Sequence, residues 1–327
     1  MTGLRDEMPA VVRRELDGLA EALDEAIPAK KLDDNFLLAT WNIRGFGAFT
    51  PAWVGATDAS PKRDRQSLHA IAEIVRRFDV VALQEVKRDT SGLRALYRLL
   101  GEHWSVLLSD VTEGAAGNNE RLAFLFDTRR VKLSGLACEI VIPPEHLDRD
   151  DATHLTRQFA RSPYAVGFSV SGHSMTLVSL HVIWGSSPRE RVHELGAIAE
   201  WLSRWSRDKY AWDHDLITLG DFNIERRGDG FHDAFTSTGL TIPTDLIQAR
   251  RSVFDGAAGT GAPGGGAAYD QIAWFADTHT SRPLSLEYRA GGSFDFTGKA
   301  LPSRGLTPAQ LSWRISDHLP LWAEFGF

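Results

Sequence analysis

Short apolar runs recur along the whole chain, and their number and length constrain its fold more than any other feature. Each run has seven to nine residues and is rich in β-branched or aromatic side chains, which is typical of buried strands. The runs are residues 35–43, 79–86, 121–127, 164–170, 174–182, 215–223, 269–275 and 318–325. We therefore expect a protein whose framework is built from β-strands.

Two segments between these runs have helical periodicity instead. In residues 65–78 and 188–205, apolar residues recur three and four positions apart, and Pro188 suits a first helical turn. Strict alternation of strands and helices would predict a doubly wound parallel sheet, but several strands here follow one another directly. The order predicts an α/β (α+β) fold in which two mixed β-sheets pack face to face with helices outside.

The first 34 residues are predicted to form a helical extension, followed by one domain over residues 35–327. Apolar residues share one face of an amphipathic helix over residues 4–26: Leu4, Met8, Val11, Val12, Leu16, Leu19 and Leu23. We expect this helix to pack on the domain or on a partner protein. Loops are expected at residues 46–64, 110–119, 143–162 and 255–268, without a domain boundary among them.

Charge and composition exclude some classes of protein. With 36 Lys and Arg against 43 Asp and Glu, the net charge is −7, which argues against a long basic groove for nucleic acid but not against a phosphodiester substrate. No signal peptide and no stretch of about 20 apolar residues is present, so no membrane anchor is expected. The single cysteine, Cys138, suits the reducing cytoplasm, and its strand-like flanks predict a buried, inert thiol.

Polar residues stand where several of the apolar runs stop or start. Burying such groups costs about 1–3 kcal/mol each unless they are paired, so a shared site explains the set better than separate accidents. The residues are Asn42, Glu85, His181, Asp221 and Asn223 at the ends of runs, and Asp317 and His318 where the last strand is expected to open.

The residue types indicate the chemistry of that site. Carboxylate and carboxamide oxygens suit Mg²⁺, Mn²⁺ or Ca²⁺, whereas zinc is disfavoured by a lone cysteine and the lack of a histidine pair at ligand spacing. The two histidines are then free for proton transfer. Each histidine needs a neighbouring carboxylate to fix its tautomer. Asp270 is a candidate for His318, and Glu120 is a candidate for His181. This inventory fits hydrolysis of a phosphodiester.

Eight segments in order give the chain a family resemblance. They are WNIRGFG, ALQEVK, NERLAFLF, RSPYAV, SLHV, GDFN, YDQI and SDHLP, spread from residue 41 to 320. Together they resemble the endonuclease/exonuclease/phosphatase superfamily, and are most like deoxyribonuclease I. The resemblance implies a four-layer α-β-β-α sandwich with the active site where strand ends of the two sheets meet.

The resemblance also implies roles for individual residues. Asn42 and Glu85 would hold a divalent cation (Mg²⁺ or Mn²⁺, with Ca²⁺ a further candidate) together with Asp317, and Asp221 and Asn223 would handle the attacking water or a second cation. His181 and His318 would flank the phosphate, supported by Glu120 and Asp270. The residues implied to contact phosphate or the DNA backbone are Arg44, Lys87 and Arg161.

The substrate is the least determined part of this reading. A deoxyribonuclease I-like endonuclease acting on DNA is the leading hypothesis, although Asn118 stands where deoxyribonuclease I carries a tyrosine that touches DNA. The alternatives are a phosphatase or phosphodiesterase of small or lipid phosphoesters, of the inositol phosphate or sphingomyelin type. A non-catalytic scaffold that binds a partner through the N-terminal helix is a third hypothesis.

Overall fold

Two mixed β-sheets form the body of the protein. A computed structural model describes residues 7–142, 158–184, 188–208, 210–213, 215–225, 228–255, 268–275 and 284–327. Within these ranges each sheet has six strands, and helices cover the outer faces. The predicted α-β-β-α sandwich is confirmed.

The first sheet has the strand order β11-β12-β1-β2-β4-β3. Its strands are β1 (Asn35–Phe46), β2 (Val80–Lys87), β3 (Trp104–Leu108), β4 (Glu120–Asp127), β11 (Glu287–Ser293) and β12 (Leu321–Gly326). Only β1 and β2 run parallel among these neighbours, and the other pairs are antiparallel. The carboxyl ends of β1 and β2 therefore lie side by side at one edge of the sheet.

The second sheet repeats this arrangement, in the order β5-β6-β7-β8-β10-β9. Its strands are β5 (Lys132–Glu139), β6 (Tyr164–Val170), β7 (His173–His181), β8 (Asp215–Ile224), β9 (Leu240–Thr241) and β10 (Ala268–Phe275). Here β7 and β8 form the parallel pair, with His181 opposite Asp221 in the register. Each sheet thus presents one pair of aligned carboxyl ends.

Helices lie outside the two sheets. They are α1 (Ala10–Ala26), α2 (Arg65–Val75), α3 (Ser91–Leu100), α4 (Gly114–Gly117), α5 (Pro188–Arg207), α6 (Gly230–Thr236), α7 (Thr244–Gln248) and α8 (Pro308–Ser312), with a 3₁₀ turn at Pro302–Arg304. At the start of α2, Asp64 accepts a hydrogen bond from the Ser67 amide, which satisfies one of the free N–H groups of the first turn. The predicted helices at 65–78 and 188–205 are confirmed within a few residues.

Alternation along β1 divides the core into two parts. Phe36 and Leu38 contribute to the core that includes the space between the sheets, whereas Leu37, Ala39 and Trp41 belong to the core under the outer helices of the first sheet. Successive side chains of a strand point to opposite faces, so a strand buried on both sides must be apolar at nearly every position. That is why β1 is a continuous apolar run.

The N-terminal helix packs on the protein's own domain. Leu19 and Leu23 of α1 are buried in the same core as α2, and Arg77 donates to the carbonyl oxygen of Ala20 at 3.0 Å. Of the predicted apolar face, Val12 is also buried, Val11 is exposed, and Leu4 lies outside the described residues. The division of the chain into an extension over residues 1–34 and a domain over residues 35–327 stays a prediction.

Two expectations from the sequence need correction, and four strands lie outside the predicted runs. The last strand begins at Leu321, so Asp317 and His318 lie in the connection that precedes it, where His318 forms an isolated bridge with Ser252. Cys138 is exposed, because β5 is the edge strand of its sheet and has little covering it. Strands β3, β5, β9 and β11 were not predicted from the sequence, and the expected loops at 143–162 and 255–268 fall largely outside the described residues.

No helix in the part of the chain that the structure describes has the length and apolar character needed to cross a bilayer.

Candidate active site

The polar residues at the strand ends converge on one place, where the parallel pairs of the two sheets meet. The side-chain amide of Asn42, on β1, donates to an oxygen of Asp221, on β8, at 2.9 Å. It also lies 3.1 Å from an oxygen of Glu85, on β2. Asn42 therefore joins the first sheet to the second at the predicted site.

Glu85 and Asn42 form one corner of the site. The second carboxylate oxygen of Glu85 accepts from the Gly45 amide at 2.8 Å, and Glu85 has a φ of 60°, which a non-glycine residue adopts only at some cost. The carbonyl oxygen Oδ1 of Asn42 is buried and has no hydrogen-bond partner among the described residues. A buried acceptor with no donor is costly, so the corner has the character of an incomplete ligand set.

Asp221 lies at the centre, between two imidazoles. Its Oδ2 atom is 3.8 Å from Nε2 of His181 and 3.9 Å from Nε2 of His318. Its Oδ1 atom accepts from the backbone N–H of Asn223 at 2.9 Å. Burial raises the pKa of Asp221 to about 6, with Asp270 acting in the same direction. The side chain of Asn223 is held in turn by the carbonyl oxygen of Val182 at 2.7 Å.

His318 has the carboxylate support that was predicted for it. Nδ1 of His318 lies 2.7 Å from Oδ2 of Asp270, which is fully buried. Burial by itself would lower the pKa of His318, but the carboxylates of Asp270, Asp221 and Asp317 outweigh it and raise the pKa to about 10. This imidazole is therefore held in its protonated form.

His181 is in the opposite state. Burial, reinforced by Arg161, lowers its pKa well below the usual value, so the ring is neutral. Nδ1 of His181 lies 3.4 Å from Oε2 of Glu120 but makes no hydrogen bond to any described residue. Glu120 instead accepts from Lys87, Arg161 and Asn118, at 2.7, 2.8 and 2.6 Å. Glu120 lies close to His181, but its oxygens accept from these other donors instead.

The three predicted phosphate-binding cations surround the site, and each contacts a carboxylate. Lys87 and Arg161 both hold Glu120. Arg44 lies 3.3 Å from Asp317, donates to Ser312 at 2.8 Å, and stacks with its guanidinium 3.8 Å from the ring centre of Trp313. All the predicted site residues are thus brought together, but the cations do not form an open basic surface.

Two residues that sequence reasoning missed hold the Asn42 corner in place. The hydroxyl of Ser316 donates to the backbone carbonyl oxygen of Asn42 at 2.6 Å and accepts from the backbone N–H of His318 at 3.1 Å. Arg63 is buried and donates to the carbonyl oxygens of Arg44, Gly45 and Ile315. Ser316 stands within the SDHLP segment and so could have been noticed, whereas nothing in the local sequence distinguishes Arg63.

The donor set fits a hard divalent cation. Among the described residues no three His, Cys, Asp or Glu side chains form a group that could hold a metal ion, which argues against an all-protein cage. Magnesium is usually bound through one or two carboxylates with water and substrate phosphate completing the shell. A smaller set of this kind is present: Glu85, the unpartnered Oδ1 of Asn42, and Asp317, which Ser316 links to Asn42.

Comparisons with known proteins bear on the family and the fold. Residues 39–318 match the Endonuclease/Exonuclease/phosphatase family. A search of curated proteins gives no match.

Several solved structures share the fold at low sequence identity. A mannosyl-6-phosphatase of Bacteroides thetaiotaomicron is similar with a TM-score of 0.57 and 17% identity, over 89% of this chain and all of its own. The human Nocturnin catalytic domain, with bound sulfate, gives 0.55 and 17%, over 91% of this chain and 96% of its own. TDP2 of D. rerio, complexed with a single-strand DNA product, gives 0.55 and 14%, over 90% and 99%.

The match spans most of the chain and contains every residue of the site, from Asn42 to His318. The chain therefore belongs to the endonuclease/exonuclease/phosphatase family.

Proposed function

We propose that this protein is a divalent-metal-dependent phosphodiester hydrolase, of the deoxyribonuclease I-like endonuclease type, that acts on DNA. One observation carries the proposal: the buried carboxylate of Asp221 lies within 3.9 Å of two imidazoles whose pKa values are displaced in opposite directions. Acid–base sites typically contain neighbouring titratable groups whose surroundings shift their pKa values in different directions. Members of this family hydrolyse phosphoester bonds.

The arrangement gives each side chain a role. Asp221 orients the attacking water and takes up its proton, with the Asn223 amide holding the carboxylate in position. Protonated His318, fixed by Asp270, donates a hydrogen bond to the phosphate or a proton to the leaving oxygen. Neutral His181 has one N–H, and with that proton on Nε2, the atom that faces Asp221, it donates a hydrogen bond to the phosphate from the other side.

A cation completes the site when it is bound. Glu85, Asn42 and Asp317 would hold Mg²⁺ or Mn²⁺, and its positive charge would offset the charge on the phosphate oxygens. Lys87, Arg161 and Arg44 add positive charge around the same space and suit an anionic substrate.

Incubation of the purified protein with supercoiled plasmid and with single-stranded DNA, in Mg²⁺ or in Mn²⁺, tests the proposal. We expect cleavage that stops when EDTA is added and falls by a factor of about 100 or more in Asp221→Asn. Glu85→Gln should lose activity and also the rise in melting temperature that Mn²⁺ produces in the wild type.

Glu102→Gln is the matched control. The side chain of this glutamate is 88% exposed, and it precedes β3. Trp104 of β3 pairs with Asp127, which is at one end of β4, whereas Glu120 is at the other end. The activity of the control variant should equal that of the wild type. Absence of DNA cleavage with either metal would reject the proposal.

Hydrolysis of small phosphoesters is the second candidate function. It is favoured by the net charge of −7 and by the pairing of all three predicted cations with carboxylates, since both weaken attraction to a long polyanion. A panel of sugar phosphates, inositol phosphates and sphingomyelin, run beside DNA with the same variants, separates the two functions.

A further inference from the structure

Two aromatic rings extend outward from His318. The ring centre of Tyr269 lies 5.7 Å from that of His318, and the ring centre of Trp184 lies 6.2 Å from that of Tyr269 at an interplanar angle of 64°. Trp184 is 52% exposed. We call Trp184 and Tyr269 the aromatic wall, and the roles given above use neither residue.

Trp184 is exposed, but Arg191 holds it in position. The guanidinium of Arg191, on α5, lies 4.1 Å from the centre of the indole, and Nε of Arg191 donates to the Trp184 carbonyl oxygen at 3.2 Å. The same guanidinium donates to the Asn223 carbonyl oxygen at 2.8 Å and is almost fully buried. The indole is therefore positioned relative to Asn223 before any substrate arrives.

A large aromatic side chain held in place at the mouth of a site is suited to binding a ring. Pre-organisation lowers the entropy lost on binding, and about half of the residue's surface stays accessible to a partner. Aromatic side chains stack on the faces of unpaired nucleobases, whereas a base inside a duplex already has both faces covered by its neighbours.

The charge distribution points to the same kind of substrate. The three predicted phosphate-binding cations contact Asp317 or Glu120, and the whole chain has a net charge of −7. Binding to duplex DNA depends mainly on phosphate contacts, and cations already paired with carboxylates contribute less to it, so another source of affinity is useful at this site. Base stacking supplies one.

Deepening the proposed function, on which this inference rests, we propose that the aromatic wall stacks an unpaired nucleobase next to the phosphate bound at His318. The substrate class is then single-stranded or unpaired nucleic acid, in preference to the interior of a duplex.

Binding measured without catalysis tests the inference. Fluorescence anisotropy in EDTA compares a labelled oligothymidylate with a strand of equal length and charge in which abasic units replace the nucleotides. We expect wild-type protein to bind the base-bearing strand about 5- to 100-fold more tightly, as expected for stacking of one base. Trp184→Leu should lose this preference and Trp184→Phe should keep most of it.

Trp212→Leu is the matched control. Trp212 is 67% exposed, but its indole nitrogen donates to the Ser134 carbonyl oxygen on the edge strand β5, away from His318. This variant should keep the wild-type preference. Circular dichroism establishes that each variant is folded.

Three results would overturn the inference: equal affinity of wild-type protein for the two strands, an unchanged preference in Trp184→Leu, or no binding of either strand. The proposed function fails separately, if the wild type binds the base-bearing strand through Trp184 but cleaves no phosphodiester with Mg²⁺ or Mn²⁺. If cleavage occurs and the preference does not depend on Trp184, the function stands and the inference is wrong.

Discussion

At the scale of single residues, the two histidines of the site are held in opposite protonation states by their neighbours. His318 faces the buried carboxylate of Asp270 at 2.7 Å, and its pKa is raised. His181 is buried beside Arg161, and its pKa is lowered. Because burial disfavours charge in both rings, the difference comes from the charges placed next to them.

His318 and Asp270 are expected to act as a unit. Asp270→Asn leaves a neutral group against Nδ1 and removes the charge that keeps His318 protonated, so its rate of DNA cleavage should fall about 100-fold or more, as in His318→Ala. The double variant should be little slower than either single variant, since one residue acts through the other. Single-turnover kinetics of all three proteins measures this, and losses that multiply would contradict the dyad.

Gly220 is the residue where backbone geometry leaves least freedom. Its φ of 141° is unfavourable for other residues, and a Cβ there would lie 2.0 Å from the carbonyl oxygen of Leu180 on β7. Gly220→Ala should lower the free energy of unfolding by about 2 kcal/mol or more. Urea denaturation measures it.

Gly196→Ala is the control for that experiment. Gly196 lies within α5, and nothing is within 4 Å of the position its Cβ would occupy. Alanine in a helix is favoured over glycine by about 0.5–1 kcal/mol, so this variant should be as stable as the wild type or more so. Similar destabilisation in both variants would show that the contact at Gly220 is not the cause.

At the scale of elements, the site depends on two parallel strand pairs in sheets that are otherwise antiparallel. The pairs β1·β2 and β7·β8 each align two carboxyl ends, and the packing of the sheets sets these ends against each other. The helix α1 contributes to stability rather than to the site, because its buried residues lie in the core under α2.

Removal of a buried side chain from α1 should therefore destabilise the whole domain. Leu23 is fully buried, and Leu23→Ala should cost about 2–5 kcal/mol of unfolding free energy through lost contacts and the cavity left behind. Val11 lies on the same helix but is 40% exposed, so Val11→Ala should change the stability by less than about 0.5 kcal/mol. Chemical denaturation of both variants decides this, and an unaffected Leu23→Ala would mean that α1 unfolds independently of the domain.

At the scale of the whole molecule, charge limits how the protein can attract a nucleic acid. The net charge is −7, and the predicted phosphate-binding cations Arg44, Lys87 and Arg161 are each close to a carboxylate. A small number of phosphate contacts implies a weak dependence of affinity on salt.

The affinity for single-stranded DNA should depend only weakly on salt concentration. If three phosphates are neutralised, the slope of log K against log salt concentration should be roughly −2, since each contact contributes about −0.7 on a single strand. Titrations at several salt concentrations, in EDTA to prevent cleavage, measure the slope. A much steeper value would reveal an extended basic surface that the paired cations do not provide.

Much of the fold could be predicted because buried strands carry their own signal. The runs that became β1, β2, β4, β6, β7, β8, β10 and β12 are apolar since both of their faces are covered. Strands β3 and β5 lie at the edges of the sheets, and β9 has two residues, so their sequences lack that signal. The same edge position explains why Cys138 is exposed although its flanks are strand-like.

Residue types at strand ends determined which groups could form a site and what chemistry they could perform, because a buried polar side chain needs a partner wherever it lies. The tertiary structure alone decided how those groups pair. It brought Asp317 next to Arg44 and Glu120 next to Lys87 and Arg161, contacts between residues from 33 to 273 positions apart. Such pairing depends on distances of a few ångströms between distant segments, and local sequence carries no record of them.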